Sequence, residues 1–503
     1  MRAINMYVLT RMTERKLYSF YEKALSLRDE RIKVRIEEIE IIETIVANLK
    51  AARAPFEVVN DWFYAFTIPQ IGKEFDLLKL GRNGIGVNLE IKSQAVSKEK
   101  IEKQLKQNRY YLSHILDTVH SFTYVKESET VSKLYIYEGG LRESSFEELL
   151  QKLSEIDNPI TQDIELLFRP KDYLVSPLNK PEKFLNGNYY LTAQQEEIKK
   201  EIISKSNLGK KIWGIQGSAG TGKTLLLYDL AKTFCEKSKV CIVHCGMLSE
   251  GHKYINSHAE NILIIDAKSL SKDIIKNYSV ICVDETQRLY TSGLDIVLDA
   301  FNNGIVEKCI FSYDFAQALS KTEQNRNNPK RLNEIAGFQE RRLKDRIRTN
   351  KEMFSFIRNM MNLSDKSHIE MKYDNVDILY ANSIGEADTI SNFYKKRGYT
   401  FITITPSHYV SNLIDHYSGN INSHQVIGQE FDKVIVILDN NFRYGEDGIL
   451  QAKEHPNPDY LFPRLFYQNI SRAREKLCII VLDNPDLFEK LLSIKEYIKI
   501  EEL

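Results

Sequence analysis

A glycine-rich segment that follows an apolar run is typical of a loop that binds phosphate. Residues 217–224 read Gly-Ser-Ala-Gly-Thr-Gly-Lys-Thr and lie between the apolar run KIWGIQG and the helical pattern LLLYDLAK. Backbone N–H groups can curl around a β-phosphate where no side chain interferes, and three positions meet this need: Gly217, Gly220 and Gly222. The helix N-terminus adds a favourable dipole, while Lys223 reaches the β- and γ-phosphates and Thr224 offers a hydroxyl to Mg²⁺. The segment predicts binding of ATP with Mg²⁺.

Two adjacent carboxylates follow another apolar run, about 60 residues beyond the glycine-rich segment. Asp284 and Glu285 come directly after the strand-like residues 279–283. A carboxylate at the C-terminal end of a parallel strand lies beside the phosphate loop, so Asp284 is expected to hold Mg²⁺. Glu285 is then placed to activate the attacking water as a general base.

A second group of charged residues lies in the first hundred residues, and we call Asp76, Glu90 and Lys92 the carboxylate cluster. Glu90 and Lys92 alternate with a buried-type isoleucine, so both point to one face of a strand. The turn GRNGIG precedes them. A hairpin symmetric about Asn83 gives these pairs: Leu80 with Gly86, Leu78 with Asn88, and Asp76 with Glu90. Opposed carboxylates repel unless a cation lies between them, so the pattern predicts a Mg²⁺ site, with Mn²⁺ as an alternative.

The elements that must position these residues fall into three predicted domains. Helical spacing from about residue 31 to 50 is followed by strand-like runs at 56–66, 75–80 and 87–91 and by a basic helix from 98 to about 116. This order describes an α+β domain over residues 1–175. Strands and helices then alternate, which predicts parallel sheets covered by helices in two further domains. Their predicted bounds are 181–341 and 342–503.

The ATP-binding segments resemble motifs I and II of superfamily 1 helicases, and further segments continue the resemblance in order. Gln195, in LTAQQ, corresponds to the glutamine that reads adenine in the Q motif. The segment YDFAQ resembles motif III, in which Gln317 senses the γ-phosphate and the segment touches DNA. The resemblance implies an ATP-hydrolysing motor that acts on nucleic acid.

The second α/β domain supplies the remaining motifs of this resemblance. DRIRTN resembles motif IV, which would bring Arg348 to the γ-phosphate. Residues 423–436 resemble motif V, in which His424 faces nucleic acid and Gly428 and Glu430 contact nucleotide or ribose. NISRAREKL resembles motif VI, with Arg472 as the arginine finger. Two arginines from one domain facing a phosphate loop on another imply that ATP binds between tandem RecA-like domains.

The motif spacing implies a core without large insertions. About 60 residues separate motifs I and II and about 75 separate motifs IV and V, too few for the inserted domains of UvrD-like helicases. Tyr313 replaces the usual glycine of motif III, and VHCGMLSE lacks the usual features of motif Ia. Such a core resembles the Schlafen-type and related bacterial helicase-like ATPases, for which translocation or switching is expected rather than processive unwinding.

The carboxylate cluster resembles the PD-(D/E)xK nuclease pattern, in which the two acids bind metal and the lysine assists hydrolysis. RecB-type nucleases add Gln-x-x-x-Tyr on the next helix, which Gln107 and Tyr111 match, with Gln104 as an alternative to Gln107. Some members use an upstream glutamate, for which Glu43 is the candidate. The resemblance implies a restriction-endonuclease-like first domain that cleaves nucleic acid with Mg²⁺.

Overall composition bears on the cellular location of the protein but does not identify its substrate. Lys plus Arg and Asp plus Glu number 69 each, so net charge neither favours nor excludes nucleic acid. The six cysteines form no C-x-x-C pair, which indicates reduced thiols. Neither a signal peptide nor an apolar run of about 18 residues is visible, so we expect a cytoplasmic protein without membrane contact.

Taken together, the sequence predicts a nuclease-coupled motor on nucleic acid, with single-stranded DNA as the favoured partner and RNA as an alternative. By family analogy this suits DNA processing or defence against foreign DNA. Three competing functions stay open. They are a nucleotide-gated binding protein with a non-cleaving first domain, an RNA-directed ATPase or RNase, and an ATP-using enzyme outside nucleic-acid work.

Overall fold

A computed structural model of the 503-residue chain divides into two compact units, Met1–Tyr173 and Leu174–Leu503. The structure describes all residues except 13, 70, 129, 169–172, 174, 207–210, 315–316, 345–350, 366–371, 407–412, 454–458 and 497–503. None of the described helices is long and apolar enough to cross a membrane.

The first unit is one six-stranded sheet with helices packed against it. Its strands are β1 Phe63–Thr67, β2 Glu74–Leu80, β3 Ile85–Lys92, β4 Thr118–Lys126, β5 Ser132–Tyr137 and β6 Leu141–Ser144. Its α-helices are Met6–Leu9, Tyr18–Ser26, Ile36–Ala51, Lys98–Leu112 and Phe146–Ser154. Single 3₁₀ turns occur at Arg15–Leu17, Phe56–Val59 and Ile164–Leu167.

The sheet of the first unit has the order β1-β2-β3-β4-β5-β6, and only β3 and β4 pair in parallel. The helix Lys98–Leu112 makes the crossover that a parallel pair requires. In the β2–β3 hairpin, Leu78 pairs with Asn88 and Leu80 with Gly86, as the predicted register has them. The isoleucines of the helix Ile36–Ala51 form the core against this sheet.

Two predicted elements of the first unit have different bounds. The strand-like run 56–66 begins as the 3₁₀ turn Phe56–Val59, and the strand starts only at Phe63. The first long helix begins at Ile36 rather than at residue 31. Its N-cap, Arg35, has an extended backbone and makes no side-chain capping hydrogen bond, so the apolar spacing alone overestimated the helix.

The second unit contains two parallel sheets, and we call the sheet with the phosphate loop and its helices the first lobe. This six-stranded sheet has the order β12-β7-β11-β10-β8-β9. Its strands are β7 Lys211–Gly217, β8 Val240–His244, β9 Ile262–Asp266, β10 Val280–Asp284, β11 Lys308–Tyr313 and β12 Phe338–Leu343. Its helices are Pro181–Leu185, Ala193–Ser206, Lys223–Phe234, Glu250–His258, Lys272–Ile275, Thr291–Asn302, Lys321–Arg326 and Asn328–Asn333, with a 3₁₀ turn at Thr286–Arg288.

The second lobe is built on a five-stranded parallel sheet of order β13-β19-β16-β14-β15. Its strands are β13 Val376–Ala381, β14 Thr400–Thr403, β15 Ile421–Asn422, β16 Phe431–Leu438 and β19 Ala473–Leu482, with an added hairpin of β17 Phe442–Tyr444 and β18 Leu450–Ala452. Its helices are Lys351–Met361, Ile384–Lys395, Phe462–Ile470 and Pro485–Glu496, with a 3₁₀ turn at Leu413–Tyr417. The predicted boundary at 341/342 falls inside β12, which belongs to the first lobe.

The two lobes are joined by a short antiparallel contact that we call the seam, residues 319–322 and 459–461. Ser320 forms an isolated bridge with Tyr460. Leu461 N donates to Leu319 O at 3.1 Å, and Lys321 N donates to Asp459 O at 2.8 Å. These backbone hydrogen bonds fix the first lobe to the segment that leads into the helix Phe462–Ile470.

Candidate functional site

The phosphate loop has the strand–loop–helix geometry that its sequence predicts. β7 ends at Gly217, and the helix Lys223–Phe234 begins at Lys223. Gly220 and Gly222 have φ values of +77° and +81°, in the left-handed region that favours glycine. The Lys223 ammonium donates to Ser218 O at 3.0 Å, so the lysine lies across the loop that it is expected to complete.

Asp284 lies at the C-terminal end of β10, between β8 and β11. The Thr224 hydroxyl donates to Asp284 Oδ2 at 3.3 Å, and Ser312 on β11 donates to Oδ1. Burial raises the pKa of Asp284, but His244, Ser312 and Lys223 outweigh burial and hold that pKa below its usual range. An ionised carboxylate beside a hydroxyl is a suitable ligand pair for Mg²⁺, because magnesium prefers hard oxygen ligands.

His244 is a site residue that the sequence did not reveal. It ends β8 directly beside Asp284, with its Nδ1 at 3.5 Å from Asp284 Oδ2. The imidazole is fully buried, and its ring centroid lies 4.4 Å from that of His252. A Cβ atom on Gly428 of the second lobe would lie 3.1 Å from His244 Cε1, so this histidine contacts the opposite lobe as well.

The two lobes line one small cleft. The first lobe contributes the phosphate loop, Glu285 and Gln317, and the second lobe contributes Gly428, Glu430 and Arg472. Gly428 has a φ of +75°. Lys223 and Arg472 therefore face the same space from opposite walls, which is the arrangement that a triphosphate between two domains requires.

Glu285 is held in the left-handed conformation, with a φ of +58°, and is almost fully buried. The Gln287 amide donates to its Oε2 at 2.5 Å, and Arg288 Nε lies 3.7 Å from the same oxygen. Arg472 donates to Gln468 O at 3.2 Å and to Gln429 O at 3.3 Å. Burial lowers the pKa of Arg472, with Glu285 and Glu430 opposing this effect.

Gln195 and Gln317 lie against the phosphate loop side of the cleft. The buried Gln195 amide donates to Thr221 O and Gly222 O, each at 3.3 Å. Gln317 N donates to Asp314 O at 3.2 Å. Reading of adenine by Gln195 and sensing of the γ-phosphate by Gln317 stay predictions, since these contacts are with the protein itself.

Two further predicted residues, His424 and Arg348, are not among the described residues that line the cleft. His424 is partly buried, where Thr405 Oγ1 lies 2.7 Å from its Nδ1 and the Tyr460 ring meets it edge-on at 4.8 Å. Burial and the nearby Arg288 lower the pKa of His424 to about 4. Arg348 lies in residues 345–350, outside the described part of the chain.

The carboxylate cluster is assembled in the first unit. Lys92 Nζ lies 3.6 Å from Glu90 Oε2 and 3.7 Å from Asp76 Oδ2. The β2–β3 ladder extends to the pair Leu77–Leu89, and beyond it Asp76 Oδ2 accepts from Ile91 N at 2.7 Å. The two acids are thus neighbours, as the hairpin predicts. At this end of the ladder the acceptor for Ile91 N is the Asp76 carboxylate and not a backbone carbonyl.

Amide side chains surround Glu90, which is 0% exposed. Gln104 donates to Glu90 Oε2, and Asn108 and Asn88 donate to Oε1 at 2.7 and 3.1 Å. The helix therefore brings Gln104, the alternative to Gln107, to the cluster. Tyr111 packs in the core, with its ring 5.1 Å from that of Tyr173.

The candidate for the upstream glutamate, Glu43, has a partner outside the carboxylate cluster. Glu43 pairs with Arg11 at 2.7 Å, on a half-exposed surface. Glu38 instead accepts from Tyr64 Oη at 3.2 Å and acts electrostatically on Asp76. The pKa of Asp76 is raised to about 8. Burial has the largest effect, followed by the charge of Glu90, and Glu38 has a smaller effect. Within the described residues, no group of three or more His, Cys, Asp and Glu side chains is arranged to hold a metal ion.

Part of the second unit is similar to one protein family. Residues 210–399 match the model described as Schlafen group 3, DNA/RNA helicase domain. The match includes the phosphate loop, Asp284 and Glu285 and ends before Gly428 and Arg472. No curated protein matches the chain.

Solved structures of Pif1 helicases show a distant similarity. The Pif1 helicase from Bacteroides, in complex with ADP-AlF3 and single-stranded DNA, has 16% identity and a TM-score of 0.32, over 58% of this chain and 92% of that one. The Pif1 helicase from Candida albicans has 12% identity and a TM-score of 0.30, over 61% of this chain and 100% of that one. Residues 210–399 of the second unit are thus similar to a Schlafen-type DNA/RNA helicase domain.

Proposed function

We propose that the second unit is an ATP-driven motor or switch on nucleic acid. The observation that carries this proposal is the single cleft lined by Lys223 of the first lobe and Arg472 of the second. ATP bound there would contact both lobes, so its hydrolysis would change how tightly they hold each other. Single-stranded DNA is the proposed partner, with RNA as an alternative.

The residues of the cleft divide the work of hydrolysis. Lys223 and Arg472 offset the charge that develops on the γ-phosphate, and Glu285 takes a proton from the attacking water. Thr224 and Asp284 would hold Mg²⁺, which when bound neutralises phosphate charge. Gly428 and Glu430 bring the second lobe to the nucleotide, and Gln195 and Arg348 are proposed contacts to the base and the γ-phosphate.

For the first unit we propose a metal-dependent nuclease that receives the strand moved by the motor. This proposal is supported by the distances of 3.6 and 3.7 Å from Lys92 Nζ to the Glu90 and Asp76 carboxylates. Asp76 and Glu90 would hold Mg²⁺ or Mn²⁺, and Lys92 would orient the attacking water. DNA processing or defence against foreign DNA is the setting proposed for such a pair of activities.

One observation favours a second candidate for the first unit, a nucleic-acid-binding module that does not cleave. Glu90 is fully buried, and the amides of Gln104, Asn108 and Asn88 already donate to its two oxygens. The three amides leave about one of the roughly four lone-pair positions of the carboxylate for a metal ion, and that position is on Oε2.

A cleavage and hydrolysis assay tests these proposals together. Purified protein is incubated with plasmid and single-stranded DNA in Mg²⁺, with and without ATP, beside Lys223→Ala, Glu90→Ala and Lys92→Ala. We expect ATP hydrolysis that DNA stimulates and Lys223→Ala abolishes, and cleavage that both cluster variants abolish. Equal cutting by Glu90→Ala and wild type, or none by either, favours the binding module.

Comparison of single-stranded DNA and RNA as stimulants of hydrolysis identifies the partner. Greater stimulation by RNA selects the RNA-directed alternative. Hydrolysis that neither polymer stimulates contradicts the motor proposal.

A further inference from the structure

Arg288 is a buried arginine beside the cleft whose role the motifs do not explain. It is 6% exposed and ends the 3₁₀ turn Thr286–Arg288, three residues after Glu285. A buried guanidinium is costly unless its charge is compensated. Its Nε and Nη1 atoms lack hydrogen-bond partners among the described residues, and Glu285 Oε2 is its nearest carboxylate oxygen, 3.7 Å from Nε.

The backbone of this turn is fixed within the first lobe. The Asn328 amide donates to Thr286 O at 2.9 Å and to Leu289 O at 2.8 Å. Arg326 donates to Arg288 O at 3.1 Å. The base of the Arg288 side chain is therefore anchored, and its guanidinium is the part that can respond to the other lobe.

The guanidinium reaches across the lobes to one amide oxygen. Arg288 Nη2 donates to Gln317 O at 3.1 Å and to Gln468 Oε1 at 3.5 Å. Arg472 Nη2 donates to the same Gln468 oxygen at 3.4 Å. Gln468 lies on the helix Phe462–Ile470 and is 1% exposed, so a neutral acceptor of the second lobe lies between two buried cations.

We propose that Arg288 and Gln468 are a positioning pair, which holds Glu285 ready to accept a proton only when the helix Phe462–Ile470 is docked on the first lobe. Since Gln468 carries no charge, it directs the Arg288 guanidinium without neutralising it, and the positive charge is left for Glu285. This inference rests on the proposed ATPase function and adds to it a route by which the second lobe controls the general base.

Different substitutions separate the charge of Arg288 from its link to the second lobe. Arginine has a planar fork of donors that can serve Gln317 and Gln468 together, whereas lysine is a point charge on a flexible stem. Arg288→Lys therefore keeps a cation near Glu285 and loses the link to the second lobe. Gln468→Leu removes the oxygen shared by Arg288 and Arg472 and leaves both charges, and Arg288→Gln removes the charge of Arg288 itself.

The test measures ATP hydrolysis by the full chain with and without a single-stranded oligothymidylate. Wild type is compared with Arg288→Lys, Arg288→Gln and Gln468→Leu. Arg331→Gln serves as a control, because that arginine pairs with Asp295 on the surface of the same lobe. Binding of a fluorescent ATP analogue and thermal unfolding are recorded for each protein.

We expect Arg288→Gln to lower kcat at least about 30-fold with KM within about twofold, since a positioned general base contributes about 10²–10⁴-fold. Arg288→Lys and Gln468→Leu should lose most of the stimulation by DNA, measured as the ratio of stimulated to basal rate in the same protein. The ratio of stimulated to basal rate does not depend on the fraction of folded protein, so a purely structural role would leave it unchanged.

Three results overturn the inference. If Arg288→Gln has the kcat of wild type, Arg288 does not position Glu285. The same conclusion holds if DNA stimulates both Arg288→Lys and Gln468→Leu as much as wild type, and the proposed ATPase function is unaffected in either case. Equal loss of basal kcat in Arg288→Lys and Arg288→Gln shows that the arginine is needed only for packing. Absence of hydrolysis in wild type overturns the proposed function, and the positioning role with it.

Discussion

Gly428 offers the sharpest test of whether closure of the lobes controls ATP hydrolysis. Its φ is +75°, and a Cβ atom there would lie 3.1 Å from His244 Cε1 of the first lobe. Gly398 has a similar φ of +81°, but nothing lies within 4 Å of its Cβ position. The substitutions Gly428→Ala and Gly398→Ala therefore share the backbone cost and differ in the contact across the cleft.

The expected effect of each substitution follows from the backbone cost and from the contact across the cleft. An alanine in the left-handed region costs about 1–2 kcal/mol, and this lowers the free energy of unfolding of both variants. Crowding of a packed contact adds about 1–3 kcal/mol, which only Gly428→Ala places between the lobes. Opening of the cleft relieves that strain, and about 1.4 kcal/mol corresponds to a factor of ten in population. We therefore expect kcat/KM for ATP to fall about tenfold in Gly428→Ala alone.

Steady-state ATP hydrolysis and chemical denaturation of the two variants supply the measurements. Gly246→Ala perturbs a neighbouring contact from the first lobe, because its Cβ would lie 2.9 Å from Ile427 Cγ2 of the second lobe and 2.8 Å from His244 Nε2 of its own lobe. It should lower kcat/KM as Gly428→Ala does. Wild-type kinetics in Gly428→Ala, at a loss of unfolding free energy equal to that of Gly398→Ala, would refute the reasoning.

Three further outcomes follow from the site geometry. Because the pKa of Asp76 is raised to about 8, its protonated form stabilises the fold and this stability is lost as pH rises through that value. In EDTA, Asp76→Asn should then raise the melting temperature more at pH 9 than at pH 5, and it should abolish stabilisation by Mg²⁺. Burial and its histidine neighbour lower the pKa of His252 to about 3, so stability present above about pH 6.5 is lost as pH falls towards 3. His252→Gln should move the midpoint of acid unfolding to lower pH, unlike the exposed control His258→Gln. Gln195→Ala removes two hydrogen bonds to the phosphate loop, which should cost about 1–3 kcal/mol of unfolding free energy and raise KM for ATP, as denaturation and kinetics can show.

The β2–β3 hairpin could be predicted because local sequence determines its register. The turn around Asn83 fixes the centre, and alternation then pairs Leu78 with Asn88. The phosphate loop is predictable for a similar reason, since its glycines, lysine and helix are adjacent in the chain. β12 has no such signal. Its residues FQERRL contain three charges, and as an edge strand it has one neighbour in the sheet.

Helical phase determines which residues of the two helices face the carboxylate cluster. Gln104 and Asn108 are separated by about 40° around the helix and both donate to Glu90, whereas Gln107 lies about 60° from Gln104 and about 100° from Asn108. A motif match fixes residue types but not this rotation. Glu38 and Glu43 differ by about 140° around their helix for the same reason, so at most one of them can face the cluster.

His244, Arg288 and Gln468 were missed because their partners are remote in sequence. Arg288 and Gln468 are 180 residues apart, and they meet only because the lobes close on each other. A buried arginine has no periodic signature, and a histidine at the end of a strand is most often a packing residue. Such contacts become visible only when both sheets are placed.

The seam restricts how the two lobes can move. Two of its hydrogen bonds run between backbone atoms of Leu319 and Lys321 and those of Asp459 and Leu461. The Asp459 carboxylate also accepts from Thr322 N at 3.0 Å and from Thr322 Oγ1 at 2.6 Å. While these bonds hold, the second lobe can swing about this line but cannot slide past the first lobe or separate from it. A motion of the lobes driven by ATP would then be a rotation about the seam. Atoms near the seam would move little, and atoms farther from it would move more.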